Sequence, residues 1–108
     1  MTRHALLADP RADLDVEATV RWYEHQRPGL GLEFLEELRA AYTRIVTRPL
    51  GYQDVGLGTR RALLRRFPYA VYNVIGNDVI AVLAVLHASR DPAEWHRRRE
   101  GNEPSSPS

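Results

Sequence analysis

The side chains of this sequence that can do chemistry on an anion are its arginines and one histidine. All 15 basic residues are Arg, whose planar guanidinium fork suits phosphate and carboxylate alike. They are unevenly placed: residues 1–54 hold 7 Arg against 9 Asp and Glu, and residues 55–108 hold 8 against 5. The net charge of +1 therefore conceals an acidic first half and a basic second half. Arg60, Arg61, Arg65 and Arg66 form one group, and Arg90, Arg97, Arg98 and Arg99 another. Such groups make a local anion-binding surface whose partner is RNA, DNA or an acidic protein segment. His87 lies three residues before Arg90, and an imidazole with an unperturbed pKa of about 6.5 moves protons near neutral pH.

Other chemistries find no residues. The cysteine count is zero, which excludes disulfides, thiolate catalysis, iron-sulfur clusters and cysteine-based zinc sites. His4, His25, His87 and His96 show no ligand spacing such as HExxH, and Glu33, Glu36 and Glu37 fall at solvating positions of a helix face, so no metal is expected. There is no GxGxxG or P-loop, and Gly29-Leu30-Gly31 lacks the preceding strand a phosphate-binding loop needs, so no cofactor is expected. The longest apolar run, Val79 to Leu86, is far short of the roughly 20 residues that span a bilayer, and the N-terminus lacks a signal-peptide core. A cytoplasmic protein with no membrane partner is the expectation.

The elements that must position these groups follow from periodicity. His4 to Ala8 reads as a strand, and Asp9-Pro10 as a helix start with Asp9 as N-cap and Pro10 at the first helical position. From Arg11 to about Gln26 two apolar stripes run along the helix: Ala12, Val16, Thr19, Val20 and Tyr23 on one side, and Leu14, Ala18 and Trp22 on the other. Arg27-Pro28-Gly29 breaks it, and a second helix over 31–47 places Phe34, Leu38, Ala41 and Ile45 at 4-3-4 spacing. The pair makes an αα-hairpin. Leu50 to Gly58, with glycines at 51, 56 and 58, reads as a loop. The period then changes to two, giving strands at Arg60 to Phe67, Tyr69 to Ile75 and Asp78 to Ala88, with Gly76-Asn77 as a tight turn tolerant of positive φ. Val79 to Leu86 is apolar throughout, which places that strand inside the sheet. Residues 93–99 form one or two helical turns, and Gly101 to Ser108 reads as a disordered tail. The expectation is a single α+β domain over residues 1–100. Its helical hairpin packs on one face of a small, mainly antiparallel four-stranded sheet in the order βααβββ.

That order, together with Trp22-Tyr23, Arg27-Pro28-Gly29-Leu30-Gly31, Arg65-Arg66-Phe67-Pro68-Tyr69, the run from His87 to Pro92, and Trp95, resembles the RelE/ParE superfamily of bacterial type II toxins over roughly residues 4–99. Leu86-His87 followed by Arg90-Asp91 looks more like the ParE branch, the plasmid stabilization proteins. The resemblance implies a toxin held inactive by a small ParD- or RelB-like antitoxin, which reaches operator DNA through the antitoxin alone. ParE members inhibit DNA gyrase, whereas RelE members cut mRNA on the ribosome. RNA cleavage without a metal needs a base, an acid and cations for the transition state. Here Arg65 or Arg66 would neutralise the phosphate, His87 would move protons and Arg90 would add charge. The chain has no Lys, and no Tyr follows its last strand. Positions that serve as base and acid in many RelE relatives thus have no counterpart. The reading adopted is a gyrase-binding inhibitor that uses Trp22, Arg61, Trp95, Arg97, Arg98 and Arg99 as its binding residues and needs no covalent chemistry. The alternatives are a ribosome-dependent mRNA endonuclease, or a protein that retains only antitoxin binding.

Each residue also has a plainer role. His87 shares a strand face with Val79, Ala81, Leu83 and Val85, and would bond a carboxylate such as Asp91. Arg90-Asp91-Pro92 is equally a turn with an ion pair, and Arg65 and Arg66 point to opposite faces of their strand. Trp22 is expected to pack over the sheet edge; exposed, it would suit an antitoxin helix or strand.

Overall fold

A computed structural model describes residues 4–101. In chain order the elements are β1 (Ala5–Ala8), α1 (Pro10–Gln26), α2 (Leu30–Thr47), a short 3-10 turn (Pro49–Gly51), β2 (Gln53–Gly56), β3 (Thr59–Leu63), β4 (Tyr69–Ile75), β5 (Val79–His87) and α3 (Ala93–Gly101). The single sheet has the order β1-β5-β4-β3-β2, with β1 parallel to β5 and every other pair antiparallel. β5 is therefore internal, as its unbroken apolar run requires.

The local signals explain the helices. Asp9 caps α1, its carboxylate accepting from the Arg11 N–H at 2.8 Å, with Pro10 at the first helical position. The α1–α2 connector closes on Glu24, whose carboxylate accepts from the N–H groups of Gly29 (2.9 Å) and Gly31 (3.0 Å). Those two bonds hold the Glu24 carboxyl below its ordinary range. At Gly31 the helices touch: a Cβ there would meet the Val20 carbonyl oxygen at 2.8 Å, so only glycine fits. The 4-3-4 spacing of α2 is realised, with Phe34, Leu38, Ala41 and Ile45 all buried.

The sheet differs from expectation in three ways. It has five strands, because the loop containing the three glycines is itself half a hairpin. Gly56, Leu57 and Gly58 all have positive φ, which lets a two-residue turn return Gln53–Gly56 against β3. A four-residue, largely exposed strand leaves no alternating apolar signal to read. Second, β3 stops at Leu63, and Arg65 and Arg66 lie in the bend before β4 rather than on opposite faces of a strand. Third, the sheet face away from the hairpin is covered by α3, whose Trp95 stacks on Tyr72 at 5.5 Å between centroids. The β4–β5 turn falls at Gly76-Asn77 as expected, but with neither residue at positive φ. Gly101 closes α3 rather than opening a tail, and the remaining tail lies outside the described residues.

Two cores result. The hairpin face holds the larger, with Phe34 and Phe67 in edge contact at 5.3 Å, Tyr23 against both rings, and Tyr69 against Phe34 and Tyr23. On the α3 face the smaller core gathers Ala70, Tyr72, Val74, Leu83, Ala84, Leu86 and Trp95. Among the described residues no helix is long and apolar enough to cross a membrane.

Candidate functional site

β1 stops at Ala8, opposite Val82, while β5 runs on to His87. Two side chains take over where the strand ends. The Asp15 carboxylate accepts the Val85 N–H at 3.0 Å, and Arg98 Nη1 donates to the Leu83 carbonyl at 3.1 Å. Arg98 and Asp15 also pair with each other at 2.6 and 3.1 Å, and Arg98 reaches Glu94 at 3.1 Å. The hydrogen bond to Asp15 raises the Arg98 pKa, against the opposing effect of burial. This network pins α3 to α1 across the end of β5. Asp15 was missed by sequence reasoning, although its position between Ala12 and Thr19 on the buried stripe of α1 puts a charge where an apolar residue belongs.

Beyond the network a groove of about 250 Å³ lies between α1 and the end of β5. α1 supplies Asp15, Ala18 and Trp22, β5 supplies Val85 and His87, β4 supplies Tyr69, and the turn after β5 supplies Arg90. Trp22 is 56% exposed, and Leu14 on the same stripe 63%. The expected packing of Trp22 over the sheet edge is corrected: its indole meets Tyr23 edge-on at 5.0 Å and otherwise faces outward. Tyr23 beneath it is held partly dry, which raises its phenol pKa, with the nearby Tyr69 adding to the effect.

His87 stands at the groove because of a bulge. Between Tyr72 and Asn73 the β4–β5 register slips, so Tyr72 faces Ala84 and Asn73 faces Val82. Leu83 consequently turns to the α3 face while Val85 stays in the hairpin core. The expected common face from Val79 to His87 is thus broken. Nor is Asp91 the partner: the Ser89 N–H donates to His87 Nδ1 at 3.1 Å, with Ser89 Oγ at 2.8 Å. A neutral ring that accepts at Nδ1 carries its hydrogen on Nε2, so the nitrogen left over is a donor. Asp91 instead caps α3 through the Ala93 N–H at 2.9 Å, and among the described residues no ion pair joins it to Arg90.

The remaining arginines divide sharply. Arg66 pairs with Glu33 at 3.2 Å and Glu37 at 3.5 Å and lies over the Phe67 ring. Glu37 is no solvating residue, since its carboxylate also accepts the N–H groups of Arg65 and Arg66 and fixes the bend. The Arg65 side chain is exposed. Arg66 and the glutamates border a groove separate from the one holding His87 and Arg90. Arg60 donates to the Tyr52 carbonyl at 2.6 Å, and Arg61 to the Gln53 side chain at 3.1 Å. Trp95 and Arg98 are buried, which removes them from the exposed surface on which they were expected. Arg97 is exposed and pairs with Glu94 at 2.9 Å, and Arg99 donates to the Leu57 carbonyl at 2.7 Å. Among the described residues no three His, Asp or Glu side chains are grouped to hold a metal.

A helical hairpin on one face of a five-stranded sheet, with a terminal helix on the other, is a fold shared with a solved toxin-antitoxin protein. A chain from the chromosomal ParDE TA system of P. aeruginosa superposes with a TM-score of 0.69 at 17% identity, over 79% of this chain and 96% of that one. The family described as the ParE toxin of the type II toxin-antitoxin system, parDE, matches residues 6–92, and the chain belongs to that family. No curated protein matches the chain.

Proposed function

We propose that this ParE-family toxin is held inactive by a ParD-like antitoxin and inhibits growth by binding DNA gyrase in the cytoplasm, with no covalent chemistry. The observation that carries this is the dispersal of the residues RNA cleavage would need. His87 has its Nδ1 lone pair engaged by Ser89, which leaves a donor rather than a base. Arg66 is neutralised by two glutamates on α2, away from the groove that holds His87 and Arg90. A binding protein needs no such convergence. The antitoxin reading is supported by the exposed apolar stripe of α1, where Leu14 and Trp22 present surface suited to a partner helix or strand. The likeness to a chain from a ParDE system in P. aeruginosa supports it too. The antitoxin carries the DNA-binding fold, so this chain meets operator DNA only through it.

The test is to induce the chain without antitoxin in bacterial cells and to follow thymidine and amino-acid incorporation over the first minutes. DNA synthesis is expected to fall first, with purified chain inhibiting gyrase in a supercoiling assay. Earlier collapse of translation would overturn the reading in favour of mRNA cleavage by Arg65 or Arg66 with His87 and Arg90.

A further inference from the structure

β5 outruns its neighbour: β1 ends at Ala8 opposite Val82, and from there to His87 one side of β5 has no strand beside it. The ladder fixes which backbone groups face that side. Val85 stands opposite Val71 but gives its N–H to Asp15 on α1, so its N–H and its carbonyl both point away from β4. His87, two residues on, repeats that orientation. Its carbonyl accepts the Arg90 N–H at 2.9 Å, and its N–H is left facing the groove between α1 and the end of β5. Asp15 and Arg98 thus substitute for a strand only as far as the Val85 N–H. Resting on the reading of this chain as a toxin held by an antitoxin, we infer that an extended segment of that antitoxin adds a strand here. It bonds the Val85 carbonyl and the His87 N–H, sets an apolar side chain on Trp22 and brings a carboxylate to Arg90 and His87.

The backbone groups select an extended occupant. A helix has its own N–H and carbonyl groups paired internally and offers nothing to this edge, whereas an extended chain presents a donor and an acceptor toward it at every second residue. The walls select the side chains. Ala18 and the outward-facing indole of Trp22 make one side apolar, continuous along α1 with the exposed Leu14. Arg90 is exposed in the turn after β5, and His87 presents an Nε2 donor because Ser89 engages Nδ1.

The carboxylate in the groove, Asp15, is consumed by Arg98 and by the Val85 N–H, so it does not answer those donors. An acidic side chain on the added strand does, and the guanidinium fork of Arg90 is shaped to take it. A second copy of this chain is a poorer occupant. Its edge strands are Ala5–Ala8, which carries no acid, and Gln53–Gly56, whose Asp54 accepts the Gly56 N–H.

The test selects eight-residue peptides from a random library on the full chain and titrates the strongest binder into 15N-labelled protein. The selected peptides are expected to carry Asp or Glu near an apolar residue, to shift the Val85 and His87 amides and the Trp22 indole together, and to slow exchange of the His87 amide at least tenfold. Replacing the peptide's acid by the matching amide should weaken binding at least tenfold, a comparison that leaves the protein untouched. Trp22→Ala and Arg90→Gln should do the same, with a thermal melt to check each fold, while Leu50→Ala, at a side chain 73% exposed in the 3-10 turn, should change nothing. The antitoxin encoded beside the chain should displace the peptide and protect the same amide. Basic peptides, no enrichment, or shifts centred on the Val16, Val20 and Leu35 groove between α1 and α2 would overturn the site. Protection of the His87 amide by self-association would assign the edge to a second copy instead. An antitoxin that binds without protecting that amide would overturn the added strand alone; one that does not bind at all would overturn the antitoxin reading itself.

Discussion

The two faces of the sheet are held by different physics. The hairpin face is secured by area: Phe34, Leu38, Ala41 and Ile45 of α2 and Phe67 are removed from water almost completely, with Tyr23 and Tyr69 partly buried against them. The α3 face is secured by a few directed contacts. α3 buries one large apolar side chain, Trp95, and otherwise depends on Arg98 with Asp15 and on Arg99 with the Leu57 carbonyl. The last of these ties α3 to the β2–β3 turn at the point where Leu57 adopts a left-handed conformation. Burial tolerates imperfect geometry and fails gradually, whereas a directed ion pair fails when either member is removed.

This contrast is best broken from the strong side first. Phe34→Ala opens a cavity among the three rings of Tyr23, Phe67 and Tyr69 and should cost about 3–5 kcal/mol, read as a lower urea midpoint with unchanged slope. Arg98→Ala should cost less, about 2–4 kcal/mol, because the pair keeps slight access to water. Its signature is local: amide exchange should accelerate through α3 and at Val85 while α2 remains protected. Pairing Arg98→Met with Asp15→Asn should recover part of that loss, since no charge is left unpartnered.

Alkaline titration sharpens the comparison further. Burial pushes the Tyr42 phenol up to about 12, with the Asp13 and Asp15 carboxylates adding to it. Its folded pKa lies above the unfolded value near 10, so its contribution is complete below pH 10 and is lost as pH rises toward 12. Phenolate absorbance should show a late-ionising group that Tyr42→Phe removes. The smallest effect on the fold belongs to Trp22→Ala. With 56% of Trp22 exposed, its loss should change stability by less than about 1 kcal/mol. Antitoxin affinity, measured by calorimetry, should still fall at least tenfold; a melt that moves more than the titration would remove Trp22 from the partner surface.

Much of the fold was legible because its signals are local. Asp9-Pro10, the Gly29 break, the 4-3-4 stripe of α2 and the continuous apolar run of β5 each report a backbone preference or a buried face within a few residues. β2 was hidden because its turn depends on three successive positive φ values, and glycines at two of the positions read equally well as a loop. The site was less legible. His87 could be singled out by residue type, but its face depends on a bulge opposite β4 and its partner on a serine two residues away. Trp95 and Arg98 resembled their exposed neighbours in sequence, and only the docking of α3 buries them.

The sequence by itself determined that this is an α+β chain with a helical hairpin, an internal last strand and two clusters of arginine, because periodicity, caps and composition are properties of short segments. The tertiary structure alone decided which arginines are spent on carboxylates and which remain available to bind. That outcome depends on distances between α1, α2, α3 and the ends of the strands, and charge pairs over tens of residues leave no period in the sequence. Arg98 and Asp15, 83 residues apart in the chain and 2.6 Å apart at their nearest atoms, show it most plainly.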